Sequence, residues 1–216
     1  YAKMLQTGDG IDVNIKEAIF YLKKAINHEN TYAMNLYAYM LKNGEGIEKD
    51  ENEAFRYYKM SADKGNENGI IEYGYMLAYG TGTCVNLEEA LRCIKIGIDK
   101  GNPKAMIYYS ILLMNGTGVN RNPNESIRYL KMAIDCGDHR AMNLYAYMAY
   151  TYDNVGIDKK VAIWYLKMSA DHGNVAAMYN YGLMLSKGDD IKMNKEEAAR
   201  YYKMAADKGL AQAMYN

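Results

Sequence analysis

Nothing in this chain of 216 residues is long and apolar enough for a membrane crossing, which takes about 18 consecutive apolar residues. An excess of charge of one sign is missing too: 26 Lys and Arg balance 26 Asp and Glu. Nucleic acids and acidic membranes are bound by basic surfaces, so the expectation is no nucleic-acid partner and no membrane insertion. Cysteine is scarce. Cys84, Cys93 and Cys136 are odd in number and share no common step, whereas a secreted disulfide scaffold needs pairs at ordered spacings. Free thiols in a reducing compartment follow, and with them a cytoplasmic location in preference to an ER-lumenal or secreted one. The sequons Asn115-Gly-Thr and Asn124-Glu-Ser point weakly the other way in a chain rich in asparagine. No HExxH, Walker or G-x-S-x-G motif is present. The chain reads as a non-enzyme, without cofactor or metal.

What it has in quantity is periodicity. Gly65, Gly101, Gly137, Gly173 and Gly209 lie 36 residues apart, with Glu29 at the first expected position. Met34, Ile70, Met106, Met142, Met178 and Met214 keep that step, as do Tyr1, Tyr37, Tyr73, Tyr109, Tyr145 and Tyr181. No insertion or deletion breaks the register. A strict period of this length belongs to stacked supersecondary units, none of which can bury its apolar face alone. The predicted organisation is one array over 1–216: a partial unit 1–30, full units 31–66, 67–102, 103–138, 139–174 and 175–210, and a partial unit 211–216. Tyr1 and Asn216 both fall inside a repeated helix, so the array reads as an excerpt of a longer one.

Within the unit from Asn30 to Gly65, Ala33, Met34, Tyr37, Ala38 and Leu41 follow the spacing of one helix face. Gly44 and Gly46 stop that helix, because glycine tolerates the left-handed backbone a helix end demands. Gly80-Thr-Gly82 and Gly116-Thr-Gly118 are the equivalent stops; they follow a helix, unlike phosphate-binding loops, which follow a strand. Asp50 then opens a second helix, and Glu53 completes a capping box. Asn14 with Glu17, Asn86 with Glu89, Asn122 with Glu125 and Asn194 with Glu197 repeat the device. Asp158 lacks its partner because Val161 replaces the glutamate. Pro103 and Pro123 suit first helical positions.

The second helix is expected to bury Ala54, Tyr57, Tyr58, Ser61 and Ala62 and to end at Gly65. Small residues at 38, 74, 110, 146 and 182 predict close helix approach there. The methionine rows Met60, Met132, Met168, Met204 and Met40, Met76, Met148, Met184 read as core filler. At Glu29 the left-handed conformation is costly, so Asn30 is expected to take over that role and lengthen the helix by one residue. The fold class is all-α: an α-solenoid, a right-handed superhelix of antiparallel helix pairs.

These positions resemble the Sel-one-like repeat, a longer relative of the tetratricopeptide repeat. The resemblance is carried by Ala33, Ala38, Gly44, Gly46, Ile47, Asp50, Ala54, Tyr57, Tyr58, Ser61, Ala62 and Gly65, and again by Ala177, Tyr179, Gly182, Gly188, Asn194, Ala198, Tyr201, Tyr202, Ala205, Ala206 and Gly209. It covers the whole chain. Tyr37 stands for the usual leucine, Leu41 for tyrosine and Met60 for lysine, and the unit with Tyr152 and Asn154 lacks both loop glycines. The resemblance implies a non-catalytic scaffold or adaptor with protein or peptide partners. Some such arrays are fused to enzymes, so the alternative is a regulatory or targeting segment of a larger enzyme such as a protein kinase. Secreted hydrolase-like members carry paired repeat cysteines that this chain lacks.

Comparing units with one another locates a candidate surface. Positions identical in every unit serve stacking; positions that vary while staying large can read a partner. Lys3, Tyr39, Tyr75, Ile111, Tyr147 and Leu183 form one such row, and Asn35, Ile71, Ile107, Asn143 and Tyr179 another, one turn earlier. Both are expected to line a concave groove made by the first helices, where tyrosine offers contact area and a polar tip. The competing expectation is that both rows pack against the next unit's first helix. His28 and His172 are four periods apart, too separated for one metal site, and His139 has only Cys136 at ligand spacing.

Overall fold

The computed structural model of the chain describes residues 1–152 and 156–215, and among these residues all regular structure is helical. In chain order the helices are α1 (Ala2–Thr7), α2 (Ile15–Asn27), α3 (Thr31–Asn43), α4 (Glu51–Asp63), α5 (Glu67–Tyr79), α6 (Leu87–Asp99) and α7 (Pro103–Asn115). There follow α8 (Pro123–Asp135), α9 (His139–Thr151), α10 (Lys159–Asp171), α11 (Val175–Lys187), α12 (Lys195–Asp207) and α13 (Ala211–Tyr215). Consecutive helices pair as the 36-residue period requires. Asn154 and Asn216, each part of a sequence expectation, lie outside the described residues.

The ends of the helices explain their constant length. Asn14, Asp50, Asn86, Asn122 and Asn194 each accept the backbone N–H of the glutamate three residues on, at 2.9–3.1 Å. A cap of this kind is worth about 1 kcal/mol. Asp158, which lacks the glutamate, accepts instead from the Lys160 N–H at 2.8 Å. The cap residue is also tied backwards. The N–H groups of Asn14, Asp50, Asn86, Asn122 and Asn194 donate to the carbonyls of Leu5, Leu41, Leu77, Leu113 and Leu185 at 2.9–3.0 Å. In those five pairs that bond fixes the loop between the two helices.

Between pairs, the N–H groups of Asn66, Asn102, Asp138 and Asn174 reach back five residues to a helix carbonyl at 2.9–3.1 Å, with a left-handed residue just before each. This is a Schellman-type stop. At the one position without glycine the structure corrects the expectation: Glu29 itself is left-handed, at φ 61°, while Asn30 has φ −71° and caps α3. The helix is not lengthened. The repeated hydrogen bonds, including Asn30 N–H to the Ala25 carbonyl at 3.1 Å, outweigh the local strain.

By its contacts the chain forms two compact units, one of residues 1–109 with 117–120 and one of residues 110–116 with 121–216. In the first, Leu22, Met34, Tyr37, Met40, Leu41, Ala54, Tyr58 and Met76 make a continuous core. In the second, Leu130, Met148, Leu166, Met178 and Tyr201 are buried. Close approach occurs where the small residues stand: a Cβ on Gly74 would lie 2.8 Å from that of Cys93, and the Ser126 hydroxyl donates to the Ser110 carbonyl at 2.7 Å. Tyr57 and Ala62 are only half-buried. The methionine rows divide. Met40, Met76 and Met148 are core and Met184 is half-buried, but Met60 is exposed and Met132, Met168 and Met204 are half-exposed.

One contact between repeats recurs. The loop glycine of a unit sits on the first residue of the preceding unit's second helix: Gly46 on Ile15, Gly82 on Glu51, Gly118 on Leu87. At the equivalent Asp190 the backbone is again left-handed, φ 55°, and its carboxylate pairs with Lys159 at 3.1 Å. Where Tyr152 replaces the first loop glycine, α9 ends in an extended residue, φ −116°, and the phenol donates to Asn115 at 3.3 Å.

Candidate functional site

The first helices of the compact unit 1–109 carry a groove of about 720 Å³, lined by Lys3, Asn35, Tyr39, Tyr58, Asn68, Glu72 and Lys104 among others. Tyr39 is 43% exposed, and its hydroxyl lies against the Glu45 carboxylate, which holds the phenol above its ordinary value. Tyr75 is half-buried, its ring 4.8 Å from Tyr79 and 4.4 Å from Tyr108. In the other compact unit a smaller pocket of about 230 Å³ is lined by Tyr147, Tyr150, Leu166, Asn180, Leu183 and Met184. Tyr147 is 52% exposed there. Ile111 is half-buried on α7.

The row one turn earlier behaves differently. Ile71 is fully buried and Ile107 nearly so, seated in the core because Gly97 leaves room beside Ile71, so neither can touch a partner directly. Asn35 donates to the Asn66 side chain at 2.8 Å, and Asn143 accepts from Asn180 at 3.4 Å. Tyr179 packs near Tyr202, ring centroids 5.8 Å apart. The two asparagines join successive first helices, while Tyr179 packs within its own unit. The candidates narrow to Lys3, Asn35, Tyr39 and half-buried Tyr75 in the first compact unit, and to Tyr147 with half-buried Ile111 and Leu183 in the second.

Sequence reasoning missed the floor of the larger groove. Glu72 is 4% exposed, yet it is charged. Its Oε2 accepts from the Lys42 ammonium at 2.8 Å, and its Oε1 accepts from the Tyr108 hydroxyl at 3.0 Å and from Lys104. Burial pushes this carboxyl up, but Lys104 and Lys42 pull further the other way and leave it below the usual carboxylate range. Lys42 stands over the Tyr58 and Tyr75 rings at 5.7 and 5.5 Å, and Lys104 over Tyr108 at 5.9 Å. The signal was available. Glu72 interrupts a row of Leu36, Tyr108, Leu144 and Asn180, and Lys42 interrupts a row of Gln6, Ala78, Met114, Tyr150 and Ser186.

A further arrangement was invisible to spacing. His139 and His172 stack, ring centroids 4.1 Å apart and 19° from parallel. Stacked rings do not converge their nitrogens, and among the described residues no three His, Cys, Asp or Glu side chains could hold one metal ion. On α10, Val161 and Trp164 replace the Glu and Arg that form ion pairs on α4, α6, α8 and α12, and they are 38% and 55% exposed. The cysteines are free thiols; Cys84 and Cys136 are exposed, while burial pushes the Cys93 thiol up to about 11. Among the described residues no helix is long and apolar enough to cross a membrane.

Comparison with protein families finds the Sel1 repeat over residues 1–30, 31–66, 68–102, 103–138, 139–174 and 175–210. Among solved structures the chain is similar to a Sel1 repeat protein from Oxalobacter formigenes, with 25% identity, a TM-score of 0.76, and coverage of 94% of this chain and 82% of that one. It is also similar to a protective antigen of uropathogenic Escherichia coli that displays an SLR fold, with 22% identity and a TM-score of 0.60. That match covers 99% of this chain but 46% of the antigen, so the chain spans less than half of that protein. The immunity protein Pa5087 from Pseudomonas aeruginosa shares the fold at 18% identity and a TM-score of 0.63, with coverage of 85% of this chain and 67% of that one. No curated protein matches the sequence.

Proposed function

This chain belongs to the Sel1 repeat family, and we propose that it is a non-catalytic scaffold that binds a peptide or protein domain along the face made by its first helices, the concave side expected of such arrays. Sel1 repeat proteins are generally protein-interaction scaffolds, and such repeats typically bind proteins. The observation that carries the reading is the groove of about 720 Å³ lined mainly by α1, α3, α5 and α7, with residues of α2 and α4 completing it and the exposed ring of Tyr39 on its wall. Its volume falls within the range of ordinary ligand sites. Tyrosine gives large contact area at low entropic cost, and the amides of Asn30 and Asn68 in the same lining suit a peptide backbone. The acids do not suit general acid–base work: Glu72 is ion-paired on both oxygens, and the cap glutamates Glu53, Glu89, Glu125 and Glu197 are engaged with arginines.

The test is photo-cross-linking in an extract of the source cells, with a photoreactive phenylalanine placed at Tyr39, at Tyr147, or at Trp164 on the second-helix face. Adducts are expected from positions 39 and 147. Adducts confined to position 164 would overturn the reading.

A further inference from the structure

We propose that the groove of residues 1–109 selects a partner segment by an internal acidic side chain, aspartate or glutamate, received by Lys104 beside Glu72. This rests on the groove being the partner surface. The argument begins with charge. Lys104 and Glu72 line the groove, and Lys42 pairs with the same carboxylate from behind, so two cations meet one anion. Glu72 carries one negative charge against two positive ones: Oε2 accepts from Lys42, and Oε1 from Lys104 and Tyr108. Each ammonium brings three N–H donors, of which Glu72 takes one.

The lysines are also held in place before any ligand arrives. The Lys42 and Lys104 side chains are 18% and 26% exposed, and tyrosine rings face both ammonium groups, which fixes them without cancelling their charge. A charge recessed in this way is screened less by salt than a surface lysine. An entering carboxylate meets donors that are already oriented, the condition for a strong charge-assisted hydrogen bond. The cations are grouped in one recess of a chain with no net charge, which suits a single carboxylate and not the extended phosphate backbone of a nucleic acid.

The test uses the whole 216-residue chain, immobilised against random peptides displayed with linkers at both ends, so that side chains supply the only carboxylates. Selection should enrich Asp or Glu at one position. For a synthetic copy of a selected peptide, changing that residue to its amide should weaken binding about tenfold on the native chain. The same change should cost less than about twofold on Lys104→Gln. Lys104→Arg, which keeps the charge, should retain most of the amide effect and guards against misfolding of the Lys104→Gln variant. Binders with no acidic preference, or an equal amide effect on native and Lys104→Gln chains, would overturn the carboxylate proposal while leaving the groove reading intact. Selected peptides that bind Tyr39→Ala as well as the native chain would overturn the groove reading itself. A selection that yields no binder overturns both.

Discussion

The Lys42 ammonium donates to Glu72 across 30 residues of sequence and from one helix pair to the next, at 2.8 Å. Only the stacking of α3 against α5 brings them together. Because Lys104 reaches the same carboxylate from α7, one buried anion links three successive first helices.

Loss of that anion should be measurable. Glu72→Gln leaves two lysines facing each other with partial solvent access, so urea denaturation at neutral pH should show a loss of about 2 kcal/mol, below the full cost of stranding a buried charge. The folded carboxyl titrates below its unfolded value. Its contribution is therefore complete above the ordinary carboxylate range, near pH 4, and disappears as pH falls through the lower folded value. The native chain and Glu72→Gln should accordingly converge in stability toward acid. Parallel curves at all pH values would contradict this.

Glu29 is, with Asp190, one of two left-handed non-glycine residues among the described residues, at φ 61°. Its ion pair with Lys64, at 2.9 Å with the Glu29 side chain 76% exposed, offsets little of that strain. Glu29→Gly should stabilise the chain by about 1 kcal/mol after allowance for the greater freedom of glycine when unfolded. A thermal melt that moves downward would count against the strain.

Two glycines with similar backbone should respond differently to alanine. Gly65 has φ 77° and nothing within 4 Å of an added Cβ, so Gly65→Ala should cost about 1 kcal/mol of backbone strain. At Gly82 the Cβ would lie 2.0 Å from the Glu51 carbonyl oxygen, which belongs to backbone and cannot yield alone. Gly82→Ala should cost about 3 kcal/mol or more, since overpacking adds to the strain. Equal denaturation midpoints for the two variants would show that the loop does not dock on α4.

The tyrosines of the candidate row should separate into two kinds. Tyr147 is 52% exposed, and Tyr147→Ala should change stability by less than about 0.5 kcal/mol. Tyr75 packs between Tyr79 and Tyr108, and Tyr75→Ala should cost about 2 kcal/mol. In a binding titration with a cross-linked partner, Tyr39→Ala should weaken the complex by about 1–3 kcal/mol. A stability loss at Tyr147 as large as that at Tyr75 would make the whole row structural.

The architecture is written in the sequence because its determinants are local and repeated. Asp50 with Glu53, Gly44, Gly65 and the spacing of Ala33, Met34, Tyr37 and Leu41 act within one turn or one loop, and each recurs at the 36-residue step. Sequence reasoning erred at Glu29, where it weighed one residue's preference without the hydrogen bonds that hold the turn. It also took Ile71 and Ile107 for surface, because their row holds Asn35 and Asn143 elsewhere and position on a helix does not say how deep a side chain sits. Depth, and the meeting of Lys42, Glu72 and Lys104 or of His139 and His172, were decided by the tertiary structure alone. Those contacts depend on how far one helix pair is displaced against the next, a quantity that no periodicity within a single helix carries.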